Sequence, residues 1–178
     1  MGSLYIAWNY LLIPYQKNRI LTLFNPESDP LGSGYHIIQS KIAIGSGGLT
    51  GKGLTNGSQS QLDFVPEQST DFIFSVLAEE LGFLGVLLLI IIYSLIIYRC
   101  FSLSLKCEDN FSRLLGSSLT FVFFTYIFVN IGMVSGLLPV VGVPLPLISY
   151  GGSSLITLMA SFGIIMSIHK HKSPRYLQ

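Results

Sequence analysis

The chain has 178 residues, half of them hydrophobic and only 11% charged, and its mean hydropathy is +0.61. Soluble domains carry about 25% charged residues, so this composition excludes an ordinary soluble domain and favours an integral membrane protein. The net charge of +1 gives no reason to expect nucleic acid as a partner, and Cys100 and Cys107 fit no zinc motif and are expected to be free thiols.

The first apolar segment, Leu4 to Ile13, is too short to cross a bilayer, because a transmembrane helix needs about 20 apolar residues. We predict that residues 1–14 are the end of a truncated transmembrane helix. No signal peptide is expected, because Met1 begins a segment without a basic stretch or a clear cleavage site. Residues 15–70 are polar and rich in glycine, and they are predicted to form one large loop, a kind of segment that is usually functional.

Three longer apolar segments predict transmembrane helices at residues 71–99, 114–134 and 147–168. The stretch from Leu81 to Tyr98 carries no charge and, as a helix, is about 27 Å long, close to the thickness of the hydrocarbon core. Within hydrocarbon each backbone polar group must be bonded inside its own segment, so these segments are helices. The predicted fold class is all-α integral membrane, with three full transmembrane helices, a partial N-terminal one and a large Gly-rich extracytoplasmic loop.

Basic residues set the predicted orientation, because they lie in the connection at 100–113 and in the tail at 169–178. The connection at 135–146 carries no charge. The positive-inside rule therefore places the first connection and the tail in the cytoplasm, and the 135–146 connection and the large loop outside. Lys17 and Arg19 conflict with this orientation, so either they contact a substrate or the first segment is not a simple helix end.

The run from Gly45 to Gly53 has the glycine content of a phosphate-binding loop but not its pattern. A nucleotide-binding loop needs glycine where Ser46 stands and Ser or Thr where Gly53 stands. We interpret the run as a tight, flexible outer loop. Lys41 and Lys52 are either contacts for anionic head groups or ordinary solvated lysines.

Thr70 and Asp71 stand where the longest apolar run begins, and two interpretations are open. They are an N-cap for the first long helix, since Asp is favoured there. Alternatively, Asp71 is a carboxylate at the water–lipid boundary that accepts a proton from a lipid-linked substrate. Glu67 is a second candidate. Glu79 and Glu80 are candidates as well, because carboxylates without a function are rare in membrane spans.

Prolines and glycines interrupt the chain after the second span, between Gly136 and Pro146. Irregular uncharged backbone near a membrane is tolerated only against protein or a water-filled cavity, so this connection should pack against other parts of the protein. The small residues between Ile148 and Ser154 favour close helix packing over direct chemistry.

Four collinear blocks together resemble the SEDS family (shape, elongation, division and sporulation), and its rod-shape branch most closely. The blocks are PESDPLGSGYHIIQSKIAIGSGGLTGKG, FVPEQSTDFIFSVLAEELGFLG, GMVSGLLPVVGVPLPLISYGGSS and GIIMSIHKHK. The resemblance implies the C-terminal part of a multi-pass protein of the bacterial inner membrane. It also implies a peptidoglycan glycosyltransferase that polymerises lipid II into glycan strands for cell elongation and rod shape.

The implied partners are lipid II, the growing glycan strand, membrane lipids and a class B penicillin-binding protein. The family's essential acidic residue lies in a Thr-Asp-Phe motif, which makes Asp71 the predicted catalytic base. Lys41, Lys52 and Glu67 are the predicted substrate-binding residues. No metal ligand is assigned, although a divalent cation is compatible with the expected chemistry.

Two competing interpretations are a flippase for lipid-linked precursors and a non-catalytic scaffold for the penicillin-binding protein. A boundary carboxylate such as Asp71 suits chemistry, whereas transport should need ionisable residues near the middle of the membrane.

Overall fold

The computed structural model describes residues 13–26, 32–54 and 70–170, and all the regular structure within these ranges is helical. The described ranges contain five α-helices: α1 (Pro14–Phe24), α2 (Ser33–Ser46), α3 (Ile73–Leu105), α4 (Asn110–Val134) and α5 (Gly152–Lys170). The last three are long and apolar enough to span a membrane, which confirms the predicted all-α membrane class. The truncated helix predicted for the N-terminus falls almost entirely outside the described ranges.

Two helices occupy part of the region that was predicted as one large loop. Helix α1 opens with Pro14 at its first turn, where the missing N–H removes no helical hydrogen bond. Helix α2 buries one face. The buried residues recur every three positions: Gly34, Ile37, Ser40 and Ala43. That spacing is helical, so the region predicted as a large loop contains two helices, α1 and α2.

The bounds of the three long helices also differ from the predicted ones. The Asp109 carboxylate accepts a hydrogen bond from the Ser112 backbone N–H at 3.0 Å, and this N-cap starts α4 four residues earlier than predicted. Because α3 also continues to Leu105, the connection predicted at 100–113 shortens to 106–109. Helix α5 begins at Gly152 rather than at 147, since Leu147 has a φ of 68°, outside the helical region.

The core runs along α3 and α4, where these helices meet α2, α5 and the loop at residues 135–151. We call that segment the α4–α5 loop. Its buried members include Val140 and Leu145, which pack with Phe72, Phe74 and other apolar side chains. By contrast, only 11% of the most apolar 18-residue stretch of α3 is buried within the protein, and only 6% of the corresponding stretch of α5. These helix faces are therefore available to lipid or to other helices.

Helix α3 is broken at Gly82, which has φ 67° and ψ −166°, a conformation that is essentially restricted to glycine. The backbone around the break is bonded to the segment at residues 47–54, which we call the glycine loop. Four backbone hydrogen bonds of 2.9–3.1 Å join them: Lys52 N–H to Glu79 O, Gly53 N–H to Glu80 O, Phe83 N–H to Gly48 O and Leu84 N–H to Leu49 O. The polar groups freed by the break are thus satisfied inside the protein, as a membrane requires.

The close approach of the two backbones explains the glycines. A Cβ on Gly51 would lie 2.1 Å from the Glu80 carbonyl oxygen, and a Cβ on Gly82 would lie 2.2 Å from the Gly51 nitrogen. A Cβ on Gly47 would lie 2.0 Å from the Ala78 carbonyl oxygen. The run predicted to be a tight, flexible loop is therefore a tight loop that is bonded to α3.

Candidate active site

Asp71 lies half-buried in the turn that precedes α3. The helix begins at Ile73, its N-cap is Phe72, and this N-cap makes no side-chain hydrogen bond. The capping position that one interpretation gave to Thr70 or Asp71 is therefore occupied by Phe72. The Phe72 side chain is only 2% exposed and packs in the core, so it anchors the turn that carries the Asp71 carboxylate.

Two side chains from distant parts of the chain hold the backbone of this turn. The Asn130 amide donates hydrogen bonds to the carbonyl oxygens of Asp71, at 2.9 Å, and Val143, at 2.7 Å. The Ser149 hydroxyl donates to the Thr70 carbonyl oxygen and accepts from the Leu145 N–H at 2.7 Å. Each side chain thus joins the Asp71 turn to the α4–α5 loop.

The α4–α5 loop contacts Asp71 and also two basic residues. A Cβ on Gly142, where φ is 79°, would lie 3.2 Å from an Asp71 carboxylate oxygen. The Arg19 guanidinium of α1 donates a hydrogen bond to the carbonyl oxygen of Val140, which is two residues before Gly142 in the loop. The Lys41 side chain lies over Gly136, where a Cβ would be 2.6 Å from the Lys41 Nζ. One carboxylate and two cationic groups therefore contact the same loop.

Lys52 lies in a different environment from Lys41. Its Nζ is 2.7 Å from a carboxylate oxygen of Glu79, which is completely buried, while the Lys52 side chain remains 30% exposed. The Ser46 hydroxyl is also 3.4 Å from the same Glu79 oxygen. Removing a carboxylate from water is costly unless it is paired, so Lys52 compensates the charge of Glu79.

The predicted site residues are thus only partly brought together. Asp71 and Lys41 both contact the α4–α5 loop, Lys52 pairs with Glu79, and Glu67 lies outside the described residues. In the sequence Arg19 conflicted with the predicted orientation, and contact with a substrate was one of the two explanations for it. Within the described ranges no three His, Cys, Asp or Glu side chains form a cluster that could hold a metal ion.

A carboxylate can accept a proton from a hydroxyl, and cationic groups that contact the same loop can bind an anion. The site lies at one end of α3 and α4, next to irregular backbone rather than within the apolar middle of the helices. The fold and the site define a multi-pass, all-helical membrane protein with a polar site at the ends of its spans.

The chain belongs to the FtsW, RodA and SpoVE family: the family model, described as cell cycle protein, matches residues 1–174. The match confirms the resemblance drawn from the sequence. The chain is 61% identical to the peptidoglycan glycosyltransferase MrdB of Escherichia coli K12 over 167 residues, which cover 94% of this chain and 45% of that protein. It is 47% identical to the peptidoglycan glycosyltransferase RodA of Treponema pallidum over 159 residues, which cover 89% of this chain and 37% of that protein.

A solved structure shares the fold. It comes from a study of how a peptidoglycan synthase complex coordinates polymerization and crosslinking, and it matches with a TM-score of 0.72 and 39% identity. The match covers 94% of this chain and 45% of the solved chain. The chain therefore spans less than half the length of the relatives it matches.

Proposed function

We propose that this chain is part of a peptidoglycan glycosyltransferase that polymerises lipid II into glycan strands for cell elongation and rod shape. The identity to MrdB and RodA supports the reaction. The single observation that carries the proposal is the placement of Asp71, whose turn is held by Asn130 and Ser149 at the end of a membrane-spanning helix. We place the protein in the bacterial inner membrane with the α4–α5 loop outside.

In the proposed reaction a hydroxyl group of the acceptor sugar attacks the anomeric carbon of the donor sugar. The bond between that carbon and the pyrophosphate oxygen breaks, and the oxygen keeps the electron pair. The leaving group is the polyprenyl pyrophosphate. Asp71 accepts the proton that the attacking hydroxyl loses. A positioned base of this kind typically supplies a factor of about 10²–10⁴ in rate.

Cationic side chains are proposed to offset the negative charge that develops on the leaving pyrophosphate. Lys41 and Arg19 suit this role, because both contact the α4–α5 loop that lies beside Asp71. Lys52 is a proposed substrate contact as well, since an ammonium group has three donors and this side chain is 30% exposed while it is bound to Glu79. Glu67 also remains a proposed contact.

The distribution of charge argues against the flippase alternative. No charged residue occurs at 81–98, 114–134 or 152–168, which make up most of the three long helices. Glu79 is the seventh residue of α3 and lies about 9 Å along the axis from the helix start, at the same end as Asp71. A transport pathway should instead need ionisable groups near the middle of the membrane.

A class B penicillin-binding protein is the proposed partner, and a groove between α3 and α4 is the proposed contact. The groove has a volume of about 460 Å³ and is mainly apolar, and its lining includes Ile90, Ile97, Phe124 and Phe128. We call it the α3–α4 groove. A single transmembrane helix of a partner suits such a surface, because packing between apolar side chains stabilises helix association in lipid. The likeness to a chain from a peptidoglycan synthase complex supports this proposal.

The test uses a chimera in which this chain replaces the aligned segment of Escherichia coli MrdB. The purified chimera is supplied with labelled lipid II in detergent micelles, where there is no membrane for a substrate to cross. A glycosyltransferase forms glycan strands under these conditions, whereas a flippase or a scaffold does not. Absence of strands from a folded chimera, with unmodified MrdB active in parallel, would contradict the proposal.

A further inference from the structure

The hydrogen bonds of Asn130 and Ser149 converge on one short turn. These side chains bind the carbonyl oxygens of two consecutive residues, Asp71 and Thr70 respectively. Asn130 lies 59 positions from Asp71 in the sequence, and Ser149 lies 79 positions from Thr70. Each also bonds a second backbone group, in the α4–α5 loop, so the turn and the loop are fixed relative to each other.

The burial of Asn130 indicates that its amide group serves these two bonds. The residue is 0% exposed and lies near the end of α4. Among the described residues its Oδ1 atom has no hydrogen-bond partner, although its Nδ2 atom makes both bonds to carbonyl oxygens. An unsatisfied buried acceptor costs about 1–3 kcal/mol. A leucine of similar size would avoid this cost, but it would leave the Asp71 and Val143 carbonyl oxygens without this donor.

The Asp71 turn lies just outside α3, which begins at Ile73. Asp71 precedes the helix, whose N-cap Phe72 makes no side-chain hydrogen bond. Burial of the Phe72 side chain anchors one side of the turn, and the bonds from Asn130 and Ser149 fix the carbonyl groups that precede it. Loss of these bonds would allow the Asp71 carboxylate to move relative to Gly142 and to the α4–α5 loop, which Arg19 and Lys41 contact.

We propose that Asn130 and Ser149 are positioning residues that hold the Asp71 carboxylate against the α4–α5 loop, in the position from which it reacts. This inference rests on the proposed function, in which Asp71 is the base. A displacement of about 1 Å in a reacting group can lower the rate about 100-fold. The two residues should therefore affect the catalytic rate constant more than the Michaelis constant for lipid II.

The experiment uses the MrdB chimera with Asn130→Leu, Ser149→Ala and Ser149→Thr. Thr120→Val is the matched control for Asn130→Leu, because Thr120 is a buried polar residue of α4 whose hydroxyl, among the described residues, bonds only the Gly116 carbonyl oxygen of its own helix. For each purified variant kcat and KM are measured over a lipid II series, and thermal unfolding gives the folded fraction.

The inference predicts that Asn130→Leu lowers kcat by about 100-fold and Ser149→Ala by about 10-fold, with little change in KM. Ser149→Thr, which keeps the hydroxyl, and Thr120→Val should retain the kcat of the parent chimera. If Asn130→Leu does not fold, the two Ser149 variants decide the question. Parent-like kcat in Ser149→Ala, or equal loss in Ser149→Ala and Ser149→Thr, would overturn the inference.

Asp71→Asn distinguishes this inference from the proposed function. If Asp71→Asn is inactive while folded Asn130→Leu and Ser149→Ala keep the parent kcat, only the positioning role is wrong. If Asp71→Asn retains the parent kcat, the proposed base is wrong, and the positioning role is overturned with it.

Discussion

Replacing Gly82 by alanine should destabilise the protein more than any ordinary surface change. Gly82 has φ 67° and ψ −166°, a conformation that costs a residue with a Cβ about 1–3 kcal/mol. The new Cβ would also lie 2.2 Å from the Gly51 nitrogen, so the glycine loop would have to move. Loss of half of the four backbone hydrogen bonds between the loop and α3 adds about 2 kcal/mol at about 1 kcal/mol each. The expected total is about 3–5 kcal/mol.

Thermal unfolding of the purified chimera in detergent measures this effect. Gly45→Ala is the matched control, because nothing lies within 4 Å of a Cβ at that position. Gly51→Ala should destabilise about as much as Gly82→Ala, and the double variant should cost little more than either, since both changes disrupt the same contact. An unfolding temperature for Gly82→Ala equal to that of Gly45→Ala would refute the described contact between the glycine loop and α3.

Three further outcomes are expected. Lys52→Ala should destabilise the chimera by about 3 kcal/mol in thermal unfolding, because it leaves the buried Glu79 carboxylate unpaired. The double variant Lys52→Met with Glu79→Leu should be less harmful, and additive losses of stability would contradict the pairing. Single cysteines are placed at Thr50 and at Glu108 in a background without native cysteines. In intact cells an impermeant thiol reagent should label the cysteine at Thr50 alone, and labelling at both positions would show that the predicted orientation is wrong. Photo-crosslinkers in the α3–α4 groove should capture a class B penicillin-binding protein, whereas capture of lipid alone at every position would count against that partner.

The sequence predicted the long helices well because their signal is local. An uncharged stretch such as 81–98 can satisfy its backbone in lipid only as a helix, so length and composition suffice. Helix α2 was missed although Ile37 and Ala43 lie on one face, because the glycines and serines around them are typical of loops. Helix α1 was missed because it is short and polar, and such helices form mainly through contacts with the rest of the protein.

The site was predictable only where a motif carried it. Asp71 was selected by its position at the start of an apolar run and by the Thr-Asp-Phe resemblance. The pairing of Lys52 with Glu79 and the bond from Asn130 to Asp71 join residues 27 and 59 positions apart. No local pattern specifies which partners such side chains find, so those contacts required the folded arrangement.

The central claim is that Asp71 is the base of a glycosyltransferase, and the most direct test compares Asp71→Asn with Asp109→Asn in the chimera. Both changes replace a carboxylate by an amide of the same size, but Asp109 caps α4 in the short α3–α4 connection, and asparagine caps a helix equally well. Initial rates of lipid II polymerisation are measured at equal amounts of folded protein. We expect Asp71→Asn to lose at least about 100-fold and Asp109→Asn to retain the parent rate. Polymerisation by Asp71→Asn at the parent rate would contradict the assignment.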